Sequence, residues 1–432
     1  MSTDETAITP CGCPDYERGM TRRSFLKRAG AAGLVAGIAH ETAFSQLAFG
    51  AGPFTGDVLV VLSLRGGFDG LQAIVPAADP DYATWRPGVG IPANALWQLD
   101  ATFGMHPAMV DLQPFWTDET FGAVHAVGMS EPNRSHFAAM EEMERAAPGS
   151  GLRTGWIDRL LGTRLHESEF QGVQMGSSLA ASAFLGQTPE LAMWSIDSFG
   201  LSAAYDDDEL ARWDTALRGL NDGAPGMLSE PALAALGALS VAAQITNAGT
   251  YLPANGAVYP DTDLGHALTD VARLIKADVG LEVAAVDYGD WDMHVDMGDV
   301  DGGWMVDHLS ELSGALAAFA TDMGTAGMAG VTLVSLTEFG RRIQENGSGG
   351  TDHGHGQVVL MMGGGVKGGQ VHGQWPGLAE EDLVDGDLAA TTDYRSILAE
   401  VLERRCGASA ADVAGVFPDL GGDRPDVVQQ LP

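Results

Sequence analysis

The chain has 432 residues, is 45% apolar by composition, and carries a net charge of −35. That length and apolar share support one large domain or two ordinary ones around a substantial core. The charge repels nucleic acid and anionic membrane surfaces, and it repels anionic substrates unless a local cation reverses the field.

The first fifty residues read as a removable targeting segment. Thr21-Arg22-Arg23-Ser24-Phe25-Leu26-Lys27 is a twin arginine followed by an apolar pair and a lysine, and Ala29 to Ala39 is a short Ala/Gly-rich apolar run. That run is well under the about 20 apolar residues a membrane-spanning helix needs. A charged start, a modest apolar run and then small residues is the layout of a twin-arginine export signal. The expectation is therefore a signal over residues 1–51, handled by the twin-arginine translocation machinery, and a mature protein in the periplasm or outside the cell. This route carries folded proteins, often with a cofactor loaded. Five basic and five acidic residues lie before residue 52, so the rest of the chain carries the whole −35. Solubility in a salty medium accounts for most of those acids. Cys11 and Cys13 precede the twin arginines and only Cys406 follows them. No internal disulfide and no thiolate zinc site is then available, and any metal must be held by carboxylates and imidazoles.

Asp57 to Leu64 (DVLVVLSL) is a nearly continuous apolar run, as in strands buried on both faces. It ends in Arg65-Gly66-Gly67-Phe68-Asp69-Gly70, where glycines allow close approach to a ligand and Asp69 supplies a carboxylate. A second strand, Gly122 to Val127, leads through Asn133-Arg134-Ser135-His136 into a helix. Ser135 at that helix start is either an N-cap or a nucleophile favoured by the helix amino terminus. Residues 155–280 read as a helical insertion of helices and loops. A third strand, Leu281 to Val286, runs into Asp290-Trp291-Asp292-Met293-His294. In extended chain Asp292 and His294 project to one face and can converge on one ion. An amphipathic helix is expected over 304–320. A fourth strand, Val331 to Leu336, ends at Thr337-Glu338-Phe339-Gly340-Arg341. The glycine-rich run that follows contains Thr351-Asp352-His353-Gly354-His355-Gly356, then a strand at Gln357 to Met362 and a helix near 395–404. Two imidazoles and an acid between glycines are poorly explained by packing. No later stretch is long enough to span a membrane.

Strands alternating with helices, several ending at glycine plus an acid, indicate an α/β domain over 52–432 with its site along the carboxyl edge of the sheet. Four of the eleven histidines, His136, His294, His353 and His355, fall in these clusters. His106, His125 and His308 read as ordinary residues and His372 as a weaker candidate. A ligand set of oxygens and imidazoles without thiolates suits one or two divalent ions: zinc, manganese, magnesium or calcium. Such ions stabilise a tetrahedral oxyanion, which points to hydrolysis of a small anionic phosphate or sulfate ester.

RGGFDGLQAIVP, NRSHFAAME, WDMH, TEFGRRIQENGSGGTDHGHG with GGGVKGG, and TTDYRSILAEVL resemble a large bacterial family of twin-arginine-exported proteins of unknown function. That family is grouped with the alkaline phosphatase/sulfatase superfamily, and the resemblance covers essentially the whole mature chain. It implies a mostly parallel mixed sheet between helices with a dinuclear metal site at the strand ends. It also implies a chain order of acid, nucleophile, Asp/His pair and late histidine, which Asp69, Ser135, Asp292 with His294, Glu338, and His353 or His355 follow. Two departures stand out. Asp-x-His replaces the superfamily's Asp-x-x-x-His, although Asp290 stands four residues before His294, and Glu338-Phe339 replaces its Asp-His pair. The expected assignment is Ser135 and His136 as catalytic residues and Arg134 and Arg341 on the substrate anion. Asp69, Asp292, His294, Glu338, Asp352, His353 and His355 are the expected metal ligands. A non-catalytic, metal-stabilised envelope scaffold is the alternative.

Overall fold

A computed structural model describes residues 56–164, 168–201 and 207–431. The export signal expected over 1–51 lies outside them. The chain divides into two compact units. Among the described residues the smaller unit holds the helix Asp207–Asn221, and the larger one holds the central sheet and every residue discussed below.

The sheet contains nine strands among the described residues. In chain order these are β1 (Val58–Leu64), β2 (Phe121–Gly128), β3 (Gly172–Met175), β4 (Leu191–Met193), β5 (Val283–Tyr288) and β6 (Val331–Leu336). A two-stranded ribbon, β7 (Arg341–Glu345) with β8 (Thr351–His353), interrupts the series. The sheet then resumes with β9 (Gln357–Gly363), β10 (Val371–His372) and β11 (Thr392–Asp393). Across the sheet the order is β10-β2-β9-β6-β1-β5-β3-β4, with β11 also beside β2. Every neighbouring pair is parallel except those made by β9, which runs against both β2 and β6. The carboxyl ends of β1, β2, β5 and β6 and the amino end of β9 therefore share one edge. This is the mixed, mostly parallel sheet that the resemblance implies, built on the apolar runs read as buried strands.

The central strands are buried along almost their whole length, with Leu59, Val60 and Leu62 fully inaccessible. Helices flank the sheet: α1 (His136–Arg145), α2 (Asp263–Lys276), α3 (Trp304–Met328) and α4 (Tyr394–Arg404). Two expectations change. The stretch read as a helical insertion contributes β3 and β4 to the sheet; GVQM and LAM are too short to show a period of two. The helix expected over 304–320 extends to Met328, past a left-handed break at Gly324 (φ 65°).

Asp57, just before β1, is tied to the end of α4. Its carboxylate accepts from Arg405 Nε and Nη2, both at 2.9 Å, and from the Thr332 hydroxyl at 2.6 Å, all buried. Removing one partner of a buried pair leaves an uncompensated charge, which costs roughly 3–5 kcal/mol. Arg405→Met should lower the unfolding free energy by about that amount, read from the shift of a urea transition at constant slope.

Candidate metal centre

The edge formed by β1, β2, β5, β6 and β9 gathers side chains far apart in sequence. His136, the first residue of α1, Asp292 beyond β5 and His353 at the end of β8 each place a potential ligand atom within 4.8 Å of the others. His294 adjoins them: its Nε2 lies 2.9 Å from Asp292 Oδ1 and 3.0 Å from His353 Nε2. The His353 Nε2 is 3.0 Å from Asp292 Oδ1, and the His136 Nε2 is 3.4 Å from Asp292 Oδ2.

The far side of each ring decides what the near side offers. His136 Nδ1 is 2.7 Å from Glu338 Oε1, His294 Nδ1 is 2.8 Å from Asp352 Oδ1, and His353 Nδ1 is 2.9 Å from the Arg134 carbonyl. Carbonyls and carboxylates only accept, so each Nδ1 carries the proton and donates it. In a neutral imidazole the Nε2 is then a lone pair. Three such lone pairs face one carboxylate, all electron-rich, at 2.9–3.4 Å. His136 Nε2 is buried and has no hydrogen-bond partner at all. Protonating all three rings would set imidazolium charges side by side; one shared cation satisfies every lone pair. Donors about 2.0–2.1 Å from a tetrahedral ion lie about 3.3 Å from one another, close to the spacings seen. A Nδ1–H held by a carboxylate or carbonyl is also the usual way a metal-binding histidine is oriented. The residues present fit a divalent ion.

The local backbone makes this convergence possible. Gly66 has φ +117°, and a Cβ there would sit 2.7 Å from the Asp292 backbone nitrogen. The turn after β1 can thus lie directly against the turn after β5. Its amide donates to Glu338 Oε1 at 2.9 Å, which steadies the carboxylate that holds His136. Phe339, buried, packs against the rings of His136 and His353 at 4.9 and 4.7 Å.

Electrostatics favour an ionised Asp292. Burial opposes ionisation, but the hydrogen bond and nearby charge of Arg341 are foremost among the effects that outweigh it, holding the carboxyl at about 2. Asp352 is also held below the usual carboxylate range, first by its hydrogen bond from His294 and then by Asn346.

The remaining candidates occupy different roles. Asp69 was expected as a ligand, but the structure places it in a buried network: Arg86 Nη1 at 2.8 Å, the Thr351 hydroxyl at 3.2 Å, and the Leu71 amide it caps at 3.1 Å. Glu338 stands behind His136 rather than beside the shared lone pairs, and Asp352 stands likewise behind His294. His355 is buried where β2 ends, its ring near Gly128, and burial followed by the Arg134 charge lowers its pKa. Arg341, expected on substrate, is almost fully buried. It donates to the carbonyls of Gly67 (2.6 Å), Thr351 (2.9 Å) and Trp291 (2.9 Å), to that of Gly66, and to Asp292 Oδ1 (2.7 Å). Its donors are engaged by the protein, so it organises the site. Arg134 is likewise engaged, with Nε 2.8 Å from the buried Asp387 carboxylate and Nη2 on the same oxygen. Ser135 occupies the N-cap position of α1, yet its side chain makes no capping bond and the residue is exposed. His136, expected as a catalytic partner of Ser135, joins the imidazole group instead. Its position after a serine at a helix start was the available signal, but no spacing linked it to Asp292, 156 residues on.

Residues 266–413 match the model of a family described as a protein of unknown function (DUF1501). The match spans Asp292, His294, Glu338, Arg341, Asp352 and His353 and begins after His136. No curated protein matches the chain. Among solved structures, the C-terminal periplasmic domain of EcEptC from Escherichia coli, in complex with Zn, is similar over 72% of this chain and 73% of that one, at 8% identity and a TM-score of 0.32. The PsFucS1 sulfatase from Pseudoalteromonas sp. is similar over 94% and 77%, at 10% identity and a TM-score of 0.35.

Two outcomes follow. Asp69→Asn should destabilise the fold by roughly 3–5 kcal/mol in a urea titration, because Arg86 loses its buried counter-charge, while bound metal per chain stays unchanged. The depressed Asp292 carboxyl stabilises the fold above the unfolded value near 3.9, and that contribution is lost as pH falls toward about 2. In metal-free protein the acid limb of a stability–pH curve between about pH 4 and pH 2 should therefore flatten in Asp292→Asn.

Proposed function

We propose that this is an exported, metal-dependent hydrolase of phosphate or sulfate esters. The observation that carries the reading is the meeting of three lone-pair Nε2 atoms with the Asp292 carboxylate, one of them buried without a partner. His136, Asp292, His294 and His353 would hold one divalent ion. Bound there, it supplies Lewis acidity toward a phosphoryl or sulfuryl oxygen. Glu338, Asp352 and the Arg134 carbonyl orient the rings, and Arg341 holds Asp292 in place. Ser135, exposed and free of a capping bond at the start of the ten-residue helix α1, is the proposed nucleophile. Its Oγ would attack phosphorus or sulfur as the bond to the ester oxygen breaks, its proton passing to the departing oxygen. Water would then cleave the Oγ ester, releasing phosphate or sulfate and restoring the hydroxyl, and the helix amino terminus favours the negative charge that develops. The resemblance to the alkaline phosphatase/sulfatase superfamily and the twin-arginine segment at 21–27 support an enzyme working in the periplasm or outside the cell. Among the described residues no helix is long and apolar enough to cross a membrane.

One observation favours the scaffold alternative. Both arginines that were candidates for binding the substrate anion, Arg134 and Arg341, are engaged within the protein.

Metal analysis and a substrate panel separate the two. The purified mature protein should contain about one divalent ion per chain and turn over at least one of p-nitrophenyl phosphate, bis-p-nitrophenyl phosphate and p-nitrophenyl sulfate. Ser135→Ala should lower kcat by more than about a hundredfold with metal retained, and His353→Ala should lose both. Bound metal with no turnover of any of the three, and no effect of Ser135→Ala on any property, would establish the scaffold instead.

A further inference from the structure

A cavity of about 370 Å³ opens at the carboxyl end of β5, beside α2 and α3. It shares no residue with the imidazole cluster. Four carboxylates line it, Asp263, Asp287, Asp290 and Glu311, and no lysine or arginine does. Among the described residues only Asp287 of the four has a basic partner, Arg65 Nε at 2.9 Å.

Aromatic groups complete the wall. The rings of Tyr288 and His308 stack 5.5 Å apart at 24°. Trp291 braces both edge-on from 5.4 and 5.2 Å, and its own indole N–H is buried without an acceptor. Trp194 also lines the cavity and is 58% exposed. Together with Gly176 and Asp263 it also lines a second cavity, of about 840 Å³, so the two adjoin. The Tyr288 phenol is pushed far up, first by burial and then by Glu311, which keeps the ring neutral.

The lining discriminates among ligands. Uncompensated carboxylates repel a phosphate or sulfate ester. A bare divalent ion needs several oxygens at about 2.3–2.6 Å. Among the described residues no three of these acids bring ligand atoms within 4.8 Å of one another, so they are too dispersed to close on one. A larger cation with low charge density fits both features, its charge facing the carboxylates and its alkyl surface lying against the exposed Trp194 ring. We propose that this cavity binds an organic cation, an amine or quaternary ammonium group carried on a small molecule.

The test is calorimetric titration of the full mature protein at low salt with two shape-matched pairs that differ in charge: choline against 3,3-dimethylbutan-1-ol, and butylammonium against butan-1-ol. At least one cation should bind at a single site, at least about tenfold more tightly than its neutral counterpart. Glu311→Gln should weaken that cation several-fold, and added salt should do the same. The proposal is overturned if neither cation binds, if the neutral compounds bind as well as the cations, or if Glu311→Gln, shown folded by circular dichroism, leaves the affinity unchanged. The comparison within the wild-type protein decides the matter even if the variant fails to fold. Because the titration needs neither bound metal nor turnover, its outcome is independent of the hydrolase reading.

Discussion

The buried guanidinium of Arg341 is the constraint on which the site depends. One planar fork reaches the turn after β1 through Gly66 and Gly67, the turn after β5 through Trp291 and Asp292, and the ribbon strand β8 through Thr351. Desolvating such a charge is costly, and here four carbonyls and one carboxylate offset that cost together. Lysine has neither the planarity nor the number of fixed donors to join three loops in this way. With these loops fixed, Asp292 is held where the three imidazoles arrive, and Gly66 lets the backbones meet at a separation that no side chain allows.

The rest of the cluster follows a common scheme. Each imidazole donates its Nδ1 proton to a neighbour outside the cluster, Glu338, Asp352 or the Arg134 carbonyl, and each turns its lone pair inward. These three partners come from the turn after β6, from β8 and from the segment before α1. The orientation of the rings is therefore set by the sheet edge as a whole. Arg134 contributes twice, since its guanidinium is anchored by Asp387 while its carbonyl orients His353. A chain with this much negative charge needs a local cation to admit an anionic substrate, and the cluster is where one fits.

How much of this could be read in advance depended on the range of each signal. The strands at 58–64, 331–336 and 357–363 are continuous apolar runs, and a sheet covered on both faces demands such runs. The edge shared by the carboxyl ends of the first two and the amino end of the third, and the gathering of Asp292, His294 and His353 there, followed from topology. The short edge strands 172–175 and 191–193 carry no such pattern. Nor could spacing distinguish acids that face an ion from acids that support the structure. Asp69 follows a glycine turn just as a ligand would, but its partner Arg86 is set by the fold rather than by any motif. Glu338 and Asp352 are one hydrogen bond removed from the positions expected of them, a difference only the orientation of His136 and His294 reveals. His353 and His355 look equivalent in His-Gly-His, yet β8 ends at His353 and His355 is buried toward Gly128.

The central claim is that these four side chains share one ion, and X-ray absorption spectroscopy of the metal-loaded protein tests it most directly. The account predicts a first shell of imidazole nitrogens and carboxylate oxygen at about 2.0–2.1 Å, with outer-shell scattering from three histidine rings that falls to two in His136→Ala. A shell lacking histidine scattering, or one that His136→Ala leaves unaltered, would contradict it.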